Sequence, residues 1–220
     1  MASPASDPVP GGAQPVQFAV DYPDRPLDRL TTAFRVIVAI PILIVLSAVS
    51  GYTGAGGAQA QEGAGIAAAT AGGLLFVGPL LMIVFRQKYP RWWFDWNLEL
   101  LRFNNRVGVY MALMDDRYPS TDDHQSVRLD IAYPDVRHSL NRWLPLVKWL
   151  LAIPHYIVLA FLYLAALVVV VIAWFAILFT GRYPRGLFDF LVGVGRWHNR
   201  VLAYALLLVT DQYPPFRLGP

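Results

Sequence analysis

The sequence predicts an all-α membrane protein with two short strands, arranged as two homologous units. Three observations carry that expectation. Hydrophobic residues make up 56% of the 220 residues and charged residues 15%, against averages of about 45–50% and about 25% for soluble chains. No Lys or Arg occurs between Arg35 and Arg86, or between Lys148 and Arg182, so two long apolar regions are free of cations. Finally, Tyr89-Pro90-Arg91-Trp92-Trp93-Phe94-Asp95-Trp96 returns as Tyr183-Pro184-Arg185-Gly186-Leu187-Phe188-Asp189-Phe190. Each copy follows an apolar run. Each is followed by the same polar set, Arg102, Asn105, Arg106 and Tyr110, then Arg196, Asn199, Arg200 and Tyr204.

Composition also excludes several chemistries. The chain has no cysteine, so disulfides, thiolate catalysis and cysteine metal sites are ruled out. Its four histidines, His124, His138, His155 and His198, show no ligand spacing. A net charge of +3 is too small to point to nucleic acid.

Residues 1–15, rich in Ala, Pro, Gly and Ser, read as a disordered tail, with neither the basic nor the apolar region of a signal peptide. The first unit spans 16–119. It opens with residues 16–23, whose period-two alternation predicts a strand stopped by Pro23. The pattern returns at 127–134, and the two strands are expected to pair with each other. Residues 34–52 and 66–85 are apolar runs of 19 and 20 residues, long enough to cross a hydrocarbon core at about 20 residues per span. A Gly-, Ala- and Gln-rich loop, 53–65, joins them. An amphipathic interfacial helix is expected at 91–114, and 120–126 is a linker.

The second unit, 127–216, repeats this order. Leu140-Asn141-Arg142-Trp143 stands for Leu27-Asp28-Arg29-Leu30, and Ala152-Ile153-Pro154 for Ala39-Ile40-Pro41. Residues 149–179 carry no charge over 31 positions. One straight helix of that length measures about 46 Å, beyond a core of about 30 Å. The preferred expectation is therefore two short spans, 144–160 and 163–179, making four in all; a single kinked helix is the alternative. Charge favours the hairpin. With two hairpins every basic residue faces the cytoplasm, whereas a single span strands the arginines from Arg182 to Arg217 on the far side. The second interfacial helix is expected at 185–209.

Six of the 11 tyrosines precede proline, which disfavours helix at the residue before it, so each Tyr-Pro marks an element boundary. Tyr118-Pro119 and Tyr213-Pro214 close the units, each two residues after Asp116 or Asp211. Strands ending in Tyr-Pro, Ala-Ile-Pro segments, Tyr-Pro-Arg-x-x-Phe-Asp turns and a closing Asp-x-Tyr-Pro resemble two tandem copies of the domain of unknown function 4389 (DUF 4389) family, over about residues 16–216. The resemblance implies a bacterial, membrane-embedded protein and brings no established activity. The unequal halves, with the 53–65 loop in only one, depart from a strict repeat.

On a helix Asp95, Arg102 and Arg106 fall near one face, as do Asp189, Arg196 and Arg200. Two readings stand. The arginines, with Asn105 and Asn199, hold anionic headgroups or another anionic ligand, as guanidinium suits phosphate. Alternatively Asp95 and Asp189, with Tyr110 and Tyr204, are structural partners that tie the arginines down. Asp115-Asp116 and Asp122-Asp123 read as a solvated linker rather than a Mg²⁺ site. His155, inside an apolar run, has no charged partner in view, and the counterpart of His198 is Asn104. No catalytic residue, cofactor or metal is expected.

The functional expectation is a non-catalytic lipid- or partner-binding scaffold with a basic, aromatic cytoplasmic face. It is placed as a multi-pass protein of the inner (cytoplasmic) membrane with both termini inside. Its partners are membrane lipids, anionic ones foremost, with a membrane protein or a second copy of the chain beside them. A small transporter or channel subunit is the first alternative, and an enzyme on lipid or isoprenoid substrates the second.

Overall fold

The computed structural model describes residues 15–50, 77–120 and 125–219. The tail over 1–14, the loop over 53–65 and linker residues 121–124 lie outside the described residues, as does the second apolar run before residue 77.

Strands β1 (Val16–Val20) and β2 (Val127–Ile131) form an antiparallel pair, with Phe18 opposite Leu129 at its centre. Each strand stops before its Tyr-Pro, because proline has no N–H to continue a ladder. Helices α1 (Arg29–Ala33), α2 (Arg35–Val38) and α3 (Ile40–Ser50) follow β1. The continuous run expected from residue 34 is thus broken at Phe34 and Ala39. Pro41 falls in the first turn of α3, where its missing N–H costs nothing, so the helix restarts there.

Helix α4 (Val77–Arg86) ends in a π-helical turn, and Gln87 closes it in the left-handed region at φ 47°. Helix α5 (Arg91–Met111) follows the Tyr89-Pro90 boundary. After β2 come the short α6 (Val136–Ser139) and α7 (Pro145–Leu151), then α8 (Ile153–Thr180) and α9 (Arg185–Ala205).

Helix α8 corrects the two-span expectation for 144–179. Its 28 residues run without a turn, and the break falls at Ala152 instead, before Pro154. The stretch between Ala160 and Tyr163 contains no Gly or Pro to interrupt the hydrogen-bond ladder. Each residue added to a helix gains a bond at little further entropy cost, so the ladder propagates. It ends at Gly181, whose φ of 72° suits glycine at a helix C-terminus. Among the described residues α8 alone is long and apolar enough to cross a membrane.

Helices α8 and α9 lie side by side and antiparallel. The four residues 181–184 join the end of α8 to the start of α9. At the other end Tyr204 and Ala205 pack on Ala152 and Leu159. The opposite side of α9 carries β1, where Arg196 Nε donates to the Phe18 carbonyl at 3.0 Å. Gly195 permits this approach, since a Cβ there would stand 2.7 Å from the Phe18 ring. The order is therefore α8, α9, sheet. On the first half α3 packs on α5 through Ala39, Ile42, Phe103, Val107 and Tyr110. Helix α5 in turn meets β2, where Arg102 Nε donates to the Leu129 carbonyl at 2.9 Å.

Contacts cross between the halves in matched pairs. Tyr22 Oη donates to the Tyr183 carbonyl, and Tyr133 Oη to the Tyr89 carbonyl. Arg185 lies over the Tyr22 ring and Arg91 over the Tyr133 ring. Arg29 reaches the carbonyl of Phe179 at the end of α8, and Arg142 that of Val84 near the end of α4. Phe94 and Phe188 are buried where these aromatic contacts meet.

Candidate functional site

The two asparagines of the duplicated polar set meet at the junction between α5 and α9. Asn105 Nδ2 donates to Asn199 Oδ1 at 2.9 Å, and Asn199 Nδ2 donates back to Asn105 Oδ1 at 2.8 Å. Each Nδ2 also donates to the carbonyl four residues earlier, Leu101 or Gly195. Asn199 is fully buried. A buried amide needs its partners, and each Asn here supplies the other's.

The four arginines of the set are engaged by the protein itself. Beyond its strand carbonyl, Arg102 meets Glu99 at 2.6 Å and Asp130 at 2.9 Å. Arg106 donates to the Ser120 carbonyl at 2.8 Å. Arg200 donates to the carbonyls of Arg217 and Gly219, at 3.3 and 2.8 Å. These bonds fasten α5 and α9 to the sheet and to the segments that close each half. Asp95 and Asp189 are exposed and form no ion pair among the described residues. Two helical turns, about 10 Å, separate each from its arginine, which leans to the strand instead.

Tyr110 and Tyr204 are buried, each facing a cation that no motif singled out. The Arg35 guanidinium carbon lies 4.0 Å from the centre of the Tyr110 ring, and Lys148 Nζ lies 5.3 Å from that of Tyr204. Arg35 NH1 also donates to the Asp115 carbonyl, and Lys148 Nζ to that of Thr210, both at 2.7 Å. Lys148, wholly buried, stands 2.6 Å from the Asp211 carboxylate. The closing aspartates hold the chain too: Asp211 accepts from the backbone N–H of Asn141, and Asp116 from that of Asp28. One sequence signal was present. Arg35 and Lys148 each stand four residues before an Ala-Ile-Pro.

The other candidates are engaged as well. Asp116 binds Arg25, while Asp115 accepts from Ser126 Oγ at 2.6 Å and from the Arg117 N–H at 3.1 Å. The pair Asp122-Asp123 lies outside the described residues. His155 is buried, accepts from Trp197 Nε1 at 3.0 Å and stacks on Phe216 at 4.1 Å between ring centres. His198 meets the Tyr163 hydroxyl, and burial pushes its pKa down to about 4, so the ring is neutral at pH 7. A cavity of about 290 Å³ lies beside it, walled by β1, α5, α8 and α9 and lined by Phe18, Val20, Asn104, Gly108 and Tyr163 among others. The lining is mostly apolar, with amide and imidazole groups at one side.

A family model described as Domain of unknown function (DUF4389) matches residues 143–217, in one copy. That stretch covers α7, α8, α9 and the closing segment. No curated protein and no solved structure matches the chain.

Proposed function

We propose that this is a non-catalytic, lipid-binding membrane protein of two homologous units, seated in the bilayer through one apolar layer with its sheet in the aqueous phase. The carrying observation is the outer face of α8. Ile157, Phe161, Leu164, Val168, Val171 and Phe175 are all large, apolar and at least 49% exposed. Leu43 and Ile44 on α3 and Trp149 and Leu150 on α7 are exposed and apolar as well. A contiguous apolar surface of this extent calls for a partner or a membrane. The polar side is the sheet, where Asp21, Arg128 and Asp130 are open to water. The matched contacts between halves support the reading as two units.

The α8–α9 hairpin argues that α8 lies along the membrane plane rather than across it. A helix held beside α9 at both ends cannot cross unless α9 crosses too. Helix α9 holds Arg196, Asn199 and Arg200 and carries the sheet on its far side, so crossing would draw charges into hydrocarbon at several kcal/mol each. Packed helices sit about 8–10 Å apart, which puts α8 among acyl chains when α9 is at headgroup level. This arrangement keeps all cations on one side, as the charge pattern asks, without a turn inside α8.

Single cysteines test it, because the chain has none of its own. Asn141→Cys and Arg182→Cys, just outside the two ends of the α7–α8 segment, are expected to react from the same side of sealed vesicles. Reaction from opposite sides would make α8 a transmembrane span and overturn the in-plane reading.

A further inference from the structure

Where the duplicated arginines are all engaged, three other cations are not. Arg86 and Lys88, at the end of α4, and Arg137, on α6, are exposed, and none makes an ion pair or a side-chain hydrogen bond among the described residues. All three line one cleft of about 550 Å³, together with Met82, Tyr89 and Tyr133. Its single carboxylate, Asp135, is already paired with His138 at 2.8 Å. Pro90 also lines the cleft, and it is the N-cap of the 21-residue α5, whose first turn has no side-chain cap. Uncapped N–H groups at a helix start add partial positive charge. The cleft thus carries three cations against one carboxylate among its lining residues and is built from both halves.

What stands next to the cations decides the ligand. Arg86 follows Phe85, which is 71% exposed, and Leu81 lies one turn earlier at 48%. Both are exposed apolar side chains on α4, the helix whose Met82 lines the cleft. A molecule with its anion against Arg86, Lys88 and Arg137 would lay a hydrocarbon chain along Leu81 and Phe85. Free phosphate uses only half of this surface. The volume is in the range of about 300–1,000 Å³ usual for ligand sites. A counterpart cleft of about 280 Å³ lies at the end of α8, lined by Tyr22, Asp24, Arg25, Arg182 and Tyr183. There Arg25 is held by Asp116 and Asp24 adds a negative charge, so the cation count is lower.

We propose that the cleft between the end of α4 and the turn into α6 binds the phosphodiester headgroup of an anionic glycerophospholipid. The proposal rests on the membrane-seated reading above and adds a defined lipid site to it. Each cation near an anionic lipid surface contributes about a fivefold factor to binding. Partial overlap of three such factors gives an expected preference for phosphatidylglycerol over phosphatidylcholine of roughly tenfold or more.

The full chain, reconstituted into phosphatidylcholine vesicles, reports this through trace spin-labelled phosphatidylglycerol or phosphatidylcholine, read as relative association constants. The variant Arg86→Gln/Lys88→Gln/Arg137→Gln is expected to lose the preference while still incorporating into vesicles. Arg117→Gln/Arg128→Gln, which removes two exposed cations outside both clefts, is expected to keep it. Should the triple variant misfold by circular dichroism, Arg137→Gln alone, on the exposed face of α6, is expected to cut the preference by roughly two- to fivefold. No preference in the wild type, or equal loss in both multiple variants, overturns the site. Release of the labelled lipid by excess inorganic phosphate also overturns it, in favour of a soluble-anion site. Failure of the wild type to incorporate into phosphatidylcholine vesicles is a separate result, and it brings down the membrane-seated reading itself.

Discussion

The two halves solve the same burial problem with different cations. Arg35 and Lys148 occupy matching places, under Tyr110 and Tyr204, each donating to a backbone carbonyl. Lys148 has a carboxylate at 2.6 Å. Arg35 has a ring and a carbonyl, and among the described residues its Nε and second terminal nitrogen have no hydrogen-bond partner. The ammonium in the second half is a compact charge neutralised by one acid. The guanidinium in the first spreads its charge over a ring face, which needs no acid in contact. Matching topology therefore does not make the two sites equally costly to disturb.

The largest expected effect breaks the ion pair. Lys148→Met leaves the Asp211 carboxylate without its cation and is expected to destabilise the protein by about 3 kcal/mol, as for other buried pairs that lose one partner. Arg35→Met strands no carboxylate in contact and is expected to cost less, about 1–2 kcal/mol. Denaturation in detergent micelles measures both, and equal losses would erase the distinction between the halves.

A smaller effect asks where the halves are equivalent. Asn105→Ala and Asn199→Ala each remove the same two reciprocal bonds, so similar losses of about 1–2 kcal/mol are expected. The double variant should cost less than the sum of the singles, with a coupling of at least about 0.5 kcal/mol. Additive losses would show that the bonds do not couple α5 to α9.

The last comparison separates the halves by pH, and at pH 6 its effect, under about 1 kcal/mol, is the smallest. His198 has Asn104 as its counterpart, so only the second half titrates at this position. Its pKa, about 4 when folded, lies below the ordinary histidine value. The unfolded chain therefore binds the proton first, and stability falls as pH drops from about 6.5 towards 4. One proton gives a slope of at most about 1.4 kcal/mol per pH unit. His198→Asn, which copies the first half, is expected to flatten that part of the curve. An unchanged slope would assign it to other groups.

Local rules carried much of the fold. Period-two alternation located both strands, and Tyr-Pro located the starts of α5 and α9 within a residue or two. The duplicated Asn and Arg positions were legible as a set. Their partners were not, because Arg102 and Arg196 bond to strands that lie far away in sequence. Of the cleft cations Arg86 stood out only as the edge of an apolar region, and Arg137 carried no signal at all. Nothing local says that Arg137 of one half comes to face Arg86 and Lys88 of the other.

By itself the sequence determined the apolar class, the element types and the places where proline stops or restarts them, since these depend on composition, side-chain period and missing N–H groups. The tertiary structure alone decided that each strand serves the helix of the opposite half, and which cations stay free. Those outcomes depend on which distant surfaces meet. An arginine is a ligand or a strut according to which carbonyl arrives beside it, and Arg196 becomes a strut because the Phe18 carbonyl of a distant strand does so.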